Sequence, residues 1–352
     1  MKVGGSALIL LSSQLPALLF AQDVRPVRDD VGFCWDASQM TRLVAYLKEQ
    51  DYSQQGTEPL VAGISPHDDY LYAGRIYYPL FKSLRAKEVV IFGVTHGSVR
   101  KEIGDPQQLI ILEEYSSWKG ISGDIKPSPL REHIRQRLEK KYFIVSNNAH
   151  RLEHAIEAML PFLQYFNPEV RITPIMVTAM PLVRMEEISE HLSAVIASYV
   201  RENNLEPGKD IAFLISSDAN HYGKDFSNAP FGEDTTAHRL GTELDQTYAH
   251  SYLTGRIDGS KISDLTRNIW GEKFTESKST LWCGRYSVPF GVLTVLKTVK
   301  KTTGKDLYGT LLKYSDTYSE GVLPLAKTGM GLTAPFSLKH WVGFFSLAYS
   351  LK

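Results

Sequence analysis

The sequence predicts a single α/β domain whose central, mostly parallel sheet is flanked by helices. From Leu60 onward, short apolar runs of strand length alternate with longer stretches whose apolar residues follow helical spacing. No internal repeat, low-complexity tract or Pro/Gly/Ser-rich linker divides the 352 residues, and this favours one large domain over two. We therefore expect one domain over residues 23–352.

The first 22 residues have the pattern of a secretory signal peptide. Lys2 precedes two apolar runs, Ala7–Leu11 and Leu15–Phe20, and the small residue Ala21 precedes a charged stretch. Polar residues and a proline interrupt the apolar runs, so each uninterrupted apolar run is too short to span a membrane as a helix. We expect cleavage near Ala21, export to the periplasm or the medium, and no stable membrane insertion afterwards. An uncleaved anchor or a soluble amphipathic start are the alternatives.

The alternating pattern places six strands and five helices along the rest of the chain. The predicted strands are Leu60–Ser65, Glu88–Val94, Leu109–Leu112, Arg171–Val177, Ile211–Ser216 and Trp341–Ser350. The predicted helices are Leu130–Lys141, His150–Phe166, Met185–Arg201, Thr235–Leu253 and Phe290–Lys301. Strands followed by long helices are typical of parallel crossover units, which agrees with the predicted fold class.

Composition and charge exclude several classes of protein. The chain is 43% hydrophobic and 22% charged, which is the range of soluble globular domains. Basic and acidic residues number 39 each, so the chain lacks the positive charge that nucleic-acid binding requires. Two cysteines, Cys34 and Cys283, cannot form a disulfide framework or a CxxC zinc site. We predict no nucleic-acid partner.

Three predicted strands are followed by loops that contain a histidine. His67 follows the first strand, His96 follows the second, and His221 follows the fifth together with Asp218. In an open α/β sheet the loops beyond the carboxyl ends of the strands meet in one crevice. A single loop histidine is more often an ordinary hydrogen-bonded residue, but three in equivalent positions predict a shared site.

Cys283 is a candidate partner of these histidines. It lies directly before a predicted apolar helix, whose N-terminus is expected to lower the pKa of the thiol and favour the thiolate. A thiolate and two imidazoles make a three-ligand site for a transition metal. The alternative is a buried cysteine that behaves as a small apolar residue, which is how we interpret Cys34.

Two other patterns suggest zinc hydrolases. Residues His150 to His154 read H-x-x-E-H on a predicted helix, as in some zinc proteases, but no acidic helix that would supply a third ligand follows. The Ser-Pro-His-Asp-Asp loop around His67 is similar to the His-Pro-Asp-Asp loop of zinc-dependent de-N-acetylases, but no later H-x-x-H follows. Both alternatives are weaker than the strand-end site.

Taken in chain order, five motifs resemble those of the Memo family, also known as protein B of the AmmeMemoRadiSam group. Ser65-Pro-His-Asp-Asp-Tyr70 is similar to the family motif A-P-H-A-G-Y, and Phe92-Gly-Val-Thr-His96 is similar to L-G-P-S-H. Glu153-His-Ala-Ile-Glu157 and Leu160-Pro-Phe-Leu163 are similar to E-H-S-I-E and L-P-Y-L. Ser217-Asp-Ala-Asn-His-Tyr-Gly223 is similar to S-D-F-C-H-W-G, and Cys283-Gly-Arg285 and Gly291-Val-Leu293 are similar to C-G-R and G-V-L. The resemblance extends from about Arg25 to the end of the chain.

The resemblance implies an α/β domain akin to the class III extradiol dioxygenases, with a metal pocket. It assigns His67, His96 and Cys283 as metal ligands and places Asp218 and His221 on the pocket lining. It also assigns His154 to a family element that excludes the first histidine of the H-x-x-E-H pattern. Five positions depart from the family pattern: Asp68 and Asp69 stand where the family has Ala-Gly, and Gly97, Met159 and Tyr286 each stand where it has a histidine.

Three functions follow from this site. The first is a redox enzyme in which iron or copper, rather than zinc, acts with oxygen on a reducing or phenolic substrate, while His221, oriented by Asp218, moves protons. The second is a module that binds a peptide or a small ligand or sequesters metal. Tyr70, Tyr72 and Tyr222 would then supply contact surface, unless they are ordinary half-buried aromatics. The third is a zinc hydrolase.

Export leaves one further alternative for the two cysteines. Outside the cytoplasm, Cys34 and Cys283 could form a disulfide instead of one of them binding a metal ion.

Overall fold

The computed structural model describes Met1 and residues 23–51, 59–270 and 280–352. Apart from Met1, the predicted signal peptide lies outside the described residues, so export remains a prediction. No helix in the described ranges combines the length and the apolar character that crossing a bilayer requires.

The strands confirm the predicted α/β class, and all six predicted strands are present. In chain order they are β1 (Val24–Arg25), β2 (Ala62–Ser65), β3 (Glu88–Val94), β4 (Ile110–Leu112), β5 (Ser117–Trp118), β6 (Lys126–Pro127), β7 (Phe143–Val145), β8 (Arg171–Val177), β9 (Ile211–Ser216), β10 (His221–Gly223), β11 (Gly255–Ile257), β12 (Leu307–Asp316) and β13 (His340–Leu351). The predicted bounds of β3, β8 and β9 agree with the structure to the residue, because each is a continuous apolar run buried on both faces.

Eleven of the described strands form one sheet, with nine in the order β11-β12-β13-β2-β9-β3-β8-β4-β7. Of the other two, β10 pairs with β13 and β6 pairs with β8. The central strands β2, β9, β3 and β8 are parallel to their neighbours in this group, and β13, β12 and β11 extend the sheet with antiparallel pairing. The likeness to class III extradiol dioxygenases remains a prediction.

Helices cover both faces of this sheet, as expected for parallel strands. They are α1 (Ala37–Glu49), α2 (Tyr70–Phe81), α3 (Gly97–Glu102), α4 (Pro129–Arg137), α5 (Asn147–Leu152), α6 (Leu160–Phe166), α7 (Leu182–Glu202), α8 (Thr235–Leu253), α9 (Gly259–Ile269), α10 (Ser287–Thr303) and α11 (Thr317–Glu320). Two large apolar clusters lie on opposite faces of the sheet, one containing residues of α7, α9 and α10 and the other containing residues of α1, α2 and α6.

The predicted helix His150–Phe166 is wrong, because the chain breaks between α5 and α6. Glu153 adopts an extended conformation, with φ −97° and ψ 138°, and ends α5. Its carboxylate accepts the backbone N–H groups of His154 and Ala155, which replace the hydrogen bonds of a continuous helix. A short 3₁₀ turn, Glu157–Met159, then leads into α6. The break turns the segment towards the end of β3.

A buried ion pair anchors the N-terminal strand β1. Arg25 is 1% exposed, forms an ion pair with the fully buried Glu157, and donates to the carbonyl oxygens of His150 and Glu153. Glu157 also accepts the backbone N–H groups of Arg28 and Asp29. These contacts hold the N-terminal residues against the segment that breaks between α5 and α6.

Candidate functional site

The three histidine-bearing loops meet at one edge of the sheet. β9 lies between β2 and β3, and all three strands are parallel, so their carboxyl ends share this edge. Ser65 at the end of β2 is in register with Ser216 at the end of β9. His67 therefore lies beside the loop that carries Asp218 and His221, as the sequence predicted.

His67, His96 and Cys283 are brought together around one point. The Nε2 atoms of the two imidazoles are 3.3 Å apart, and the Cys283 Sγ is 3.5 Å from the His67 Nε2. One potential ligand atom from each of the three side chains lies within 4.8 Å of the other two. The predicted set is thus close enough for all three side chains to bind one ion.

Hydrogen bonds on the far side of each ring set the orientation of the two imidazoles. The Ser216 hydroxyl donates to the carbonyl oxygen of Ala155 at 2.7 Å, so it accepts the Nδ1–H of His67 at 2.8 Å. The Nδ1–H of His96 likewise donates to the Glu153 carboxylate at 2.8 Å. Both rings therefore turn Nε2 towards Cys283, the arrangement of metal-binding histidines with outer hydrogen-bond partners.

The pKa values of the two imidazoles are shifted in opposite directions. Burial drives the pKa of His67 well below its ordinary value, and the neighbouring His96 lowers it further. Burial also opposes a charge on His96, but the Glu153 carboxylate more than offsets this, so the pKa of His96 is raised. The two Nε2 atoms are 3.3 Å apart, and both lie near the sulfur of Cys283.

Glu153 and Ser216 are functional residues that the sequence analysis did not assign. Burial works against the charge of Glu153, but His96 and His154 hold its pKa well below the ordinary value, so the carboxylate is ionised. Glu153 stands in the H-x-x-E-H pattern and in the E-H-x-I-E motif of the family resemblance, and neither gave it a role at the strand-end site. Ser216 is the last residue of β9, and its role becomes visible once β2 and β9 are known to be neighbours.

The expectation that the helix N-terminus lowers the pKa of Cys283 is wrong for the protein without a bound ion. Burial and, to a smaller extent, the Asp218 carboxylate raise the pKa of the thiol well above its ordinary value. α10 begins at Ser287, four residues later, so the helix end is not at the sulfur. The backbone N–H of Asp218 donates to Sγ at 3.1 Å, which favours a thiolate once a cation replaces the proton.

Asp218 and His221 both lie at the site, but their contacts differ from the expected pair. Asp218 accepts the backbone N–H of His67 at 2.9 Å, and its other carboxylate oxygen is 3.3 Å from the His67 Nε2. His221 directs Nδ1 to the carbonyl oxygen of Ala219 at 3.2 Å. The backbone therefore orients His221, and Asp218 acts on it through charge. Burial lowers the pKa of His221. Because Nδ1 donates to that carbonyl oxygen, Nε2 is the ring nitrogen that can accept a proton.

The structure contradicts a zinc site at H-x-x-E-H. His150 is 1% exposed and its Nε2 bonds to the carbonyl oxygen of Ile111, away from His154. His154 instead stacks on the His96 ring, with centroids 4.9 Å apart. Burial lowers the pKa of both histidines to about 3. His154 therefore lies at the strand-end site and His150 does not, which agrees with the family resemblance in separating the two histidines.

A cavity of about 210 Å³ opens beside the three candidate ligands. Its lining includes His96, His221 and Cys283 together with apolar and charged side chains, among them Phe226, Trp282 and Arg100. Two of the five departures from the family pattern also line it, Gly97 and Tyr286. A Cβ at Gly97 would meet no atom within 4 Å, so the space beside this position is open. A small molecule fits this space.

The other three departures do not add a second cluster of ligands. Asp69 is 3% exposed and accepts the backbone N–H and the hydroxyl of Thr333. Burial and the nearby Asp218 raise the pKa of Asp68 well above its ordinary value. Met159 is fully buried in an apolar cluster. Among the described residues, neither aspartate belongs to a group with metal-ligand spacing.

The proposed contact role of the tyrosines is also wrong. Tyr70, Tyr72 and Tyr222 are at most 1% exposed, and their hydroxyl groups donate to the carbonyl oxygens of Ala158, Ala334 and Gly232. They are core aromatics and offer no contact surface. Both cysteines are free thiols, and Cys34 is buried with Phe33 and Tyr70, so the alternative disulfide is absent.

Comparison with known proteins gives consistent matches. The model of a family described as Memo-like protein matches residues 36–321. A MEMO1 family protein from Saccharolobus islandicus is 30% identical over 183 residues, which are 50% of this chain and 58% of that protein. One from Pyrococcus horikoshii is 28% identical over 236 residues, 63% of this chain and 75% of that protein. The chain thus spans somewhat more than half the length of the first of these relatives.

Proposed function

The chain belongs to the Memo-like family, and on this premise we propose that it binds iron or copper with His67, His96 and Cys283 as ligands. One observation carries the proposal: both imidazoles have Nδ1 engaged by an outer partner, and their Nε2 atoms lie together beside the Cys283 sulfur. Imidazole and thiolate are ligands that suit iron, copper and zinc. The fit is to a transition metal, and calcium or magnesium is disfavoured because both prefer oxygen ligands.

We further propose that the chain is an oxidoreductase. Bound iron or copper would supply one-electron chemistry with dioxygen. The residues of the chain do the rest: Ser216 and Glu153 fix the imidazoles, the Asp218 N–H stabilises the thiolate, and the cavity holds a small substrate. His221 lines that cavity with an unprotonated Nε2, which can accept the proton of a substrate hydroxyl group.

Two other functions share the same ligand set. A non-catalytic module that holds metal, a small ligand or a peptide is favoured by the cavity beside the three ligands and needs no proton acceptor. A zinc hydrolase would use the same side chains to lower the pKa of a bound water. The identity of the bound metal and the requirement for His221 distinguish these functions from an oxidoreductase.

Metal analysis of protein purified without oxygen tests the ligand set. We expect about one equivalent of iron or copper in the wild type and its loss in His67→Ala, His96→Ala and Cys283→Ala. Two variants are matched controls: Cys34→Ala removes the other thiol, and His250→Ala removes an exposed histidine on α8. Equal metal content in all six proteins would exclude the ligand set, and zinc in the wild type would favour the hydrolase.

Oxygen consumption tests the reaction class. Metal-loaded wild type is expected to consume oxygen with ascorbate or catechol as reductant, and metal-free protein is not. Full metal content without any oxygen consumption would instead favour the binding module.

We also propose that the chain is exported. The pattern of residues 1–22 supports this, and mass spectrometry of protein made with its full sequence tests it. The expected mature N-terminus lies near Asp23. An intact Met1 in protein from the extracytoplasmic fraction would contradict cleavage.

A further inference from the structure

A buried carboxylate, Asp245, joins the loops of the candidate site from behind. Asp245 lies on α8, is fully buried, and belongs to none of the strand-end motifs. Its Oδ1 accepts the Thr280 hydroxyl at 2.8 Å and the Trp282 indole N–H at 2.7 Å. Its Oδ2 accepts the backbone N–H of Asn220 at 3.1 Å and the Tyr314 hydroxyl at 2.9 Å.

These hydrogen bonds lie next to Cys283, which, unlike the two histidines, does not follow a strand of the sheet. His67 and His96 follow strands of the sheet, but Cys283 lies between the end of the undescribed segment 271–279 and α10. Thr280 and Trp282 precede it, and both are held by Asp245. Asn220, whose N–H bonds the other carboxylate oxygen, immediately precedes His221. One side chain therefore connects the loop that supplies the sulfur with the loop that supplies the proton acceptor.

Asn220 adds a second connection between the same two loops. Its side-chain oxygen accepts the backbone N–H of Leu281 at 3.0 Å, and the His221 N–H donates to the Leu281 carbonyl oxygen at 3.1 Å. The ring of Trp282 packs on Phe345, with centroids 5.0 Å apart. Asp245 is the charged member of this group, and each of its oxygens accepts two hydrogen bonds.

We infer that Asp245 is a positioning residue that holds Cys283 in place for metal binding. The inference rests on the proposed metal site, because it assigns Asp245 a role in placing one of its ligands. Asp245 does not reach the cavity, so it acts through Trp282 and Asn220 and is not a catalytic residue. An outer partner of this kind typically changes metal affinity about 10-fold to 100-fold when it is removed.

The two donors on each oxygen make the substitution Asp245→Asn specific. Asparagine must place its NH₂ group where one of the two carboxylate oxygens was. A hydroxyl, from Thr280 or Tyr314, can rotate and accept from that group, but the neighbouring N–H, from Trp282 or Asn220, cannot. In either orientation, the amide NH₂ group faces an N–H group that also donates. The repulsion displaces either the loop that carries Trp282 or the loop that carries Asn220.

Cobalt(II) is the probe, because a cobalt–thiolate bond adds a sulfur charge-transfer absorption that imidazole ligands do not give. The wild type is expected to bind cobalt with this absorption. Asp245→Asn should weaken cobalt binding by about 10-fold or more and reduce the absorption per bound cobalt. Tyr314→Phe is the matched control, because it removes one hydrogen bond from the same carboxylate but leaves both loops attached. Its cobalt affinity should change by no more than about 3-fold.

A double variant separates positioning from general loss of stability. Trp282→Phe keeps a ring against Phe345 and removes the indole N–H, so the amide of Asp245→Asn no longer opposes a fixed donor there. The double variant should therefore bind cobalt more tightly than Asp245→Asn alone. If Asp245→Asn does not fold, Trp282→Phe alone should still weaken the sulfur absorption.

Two different outcomes would count against the proposals. Absence of the sulfur absorption in the wild type would overturn the proposed metal site itself. Normal absorption in the wild type, with equal cobalt affinity in Asp245→Asn and Tyr314→Phe, would overturn the role of Asp245 and leave the metal site standing.

Discussion

The Ser216 hydroxyl accepts the Nδ1–H of His67 at 2.8 Å and at the same time donates its own proton to the carbonyl oxygen of Ala155. Because the hydroxyl has one proton, this pair of contacts fixes the tautomer of His67. The lone pair of Nε2 then points towards Cys283, which is the condition for binding a metal ion.

Ser216→Ala is therefore expected to weaken metal binding without removing a ligand. Loss of the acceptor leaves the His67 ring free to change tautomer, and the expected decrease in affinity is about 10-fold to 100-fold. Isothermal titration of the metal-free protein with the metal found in the wild type measures it. Ser193→Ala is the control, since Ser193 is equally buried and bonds only within α7. Equal affinities in the two variants would show that the tautomer of His67 does not matter.

Gly284 permits the close approach of the Cys283 loop to β9. A Cβ at this position would lie 2.2 Å from the Ser217 Oγ and 3.1 Å from the backbone oxygen of Ser216. Gly284→Ala should displace Cys283 and lower the metal content of the purified protein. Gly97→Ala is the control, because a Cβ there meets no atom within 4 Å.

The double variant Gly284→Ala/Ser217→Gly removes the side chain that the new Cβ would meet. Its metal content should recover at least in part. Metal content that stays high in Gly284→Ala alone would contradict the requirement for close approach.

His221→Asn separates metal binding from catalysis. Asparagine at this position keeps a polar side chain but cannot accept a substrate proton as an imidazole does. We expect full metal content and a rate of oxygen consumption about 10²-fold to 10⁴-fold lower than that of the wild type. An unchanged rate would remove His221 from the reaction, and loss of metal would make it a ligand.

Asp245 makes the stability of the metal-free protein depend on pH. Burial raises the pKa of Asp245 from an ordinary value of 3.8 to about 6 in the folded protein, against the effect of its four hydrogen bonds. The folded state therefore binds the proton more tightly than the unfolded state. Protonation of Asp245 therefore contributes about 3 kcal/mol to the free energy of unfolding below about pH 4. This contribution is lost as the pH rises through about 6.

Asp245→Asn lacks this titration, so the variant is the reference for measuring it. The free energy of unfolding of the wild type minus that of the variant should decrease by about 3 kcal/mol between pH 4 and pH 8. Urea unfolding of the metal-free proteins at a series of pH values gives the difference. Parallel pH profiles for the two proteins would contradict the raised pKa.

The strands were predictable because they are buried apolar runs bounded by turns. The rhythm of strand and helix also placed His67, His96 and His221 at equivalent strand ends, and parallel strands bring such ends to one edge. The break at Glu153 was not predictable from apolar spacing, which continues through it. Its cause is a carboxylate that accepts backbone N–H groups from its own segment and from His96.

By itself, the sequence determined the fold class and the set of side chains that meet, because both follow from local patterns repeated along the chain. The tertiary structure alone decided how those side chains are held. Ser216 is 149 residues from His67, and Glu153 is 57 residues from His96. Hydrogen bonds over such separations depend on the order of the strands and on where loops cross, and no local spacing encodes them. For the same reason, the tautomers of the two histidines, the pKa of Cys283 and the attachment of its loop to Asp245 became visible only in the folded chain.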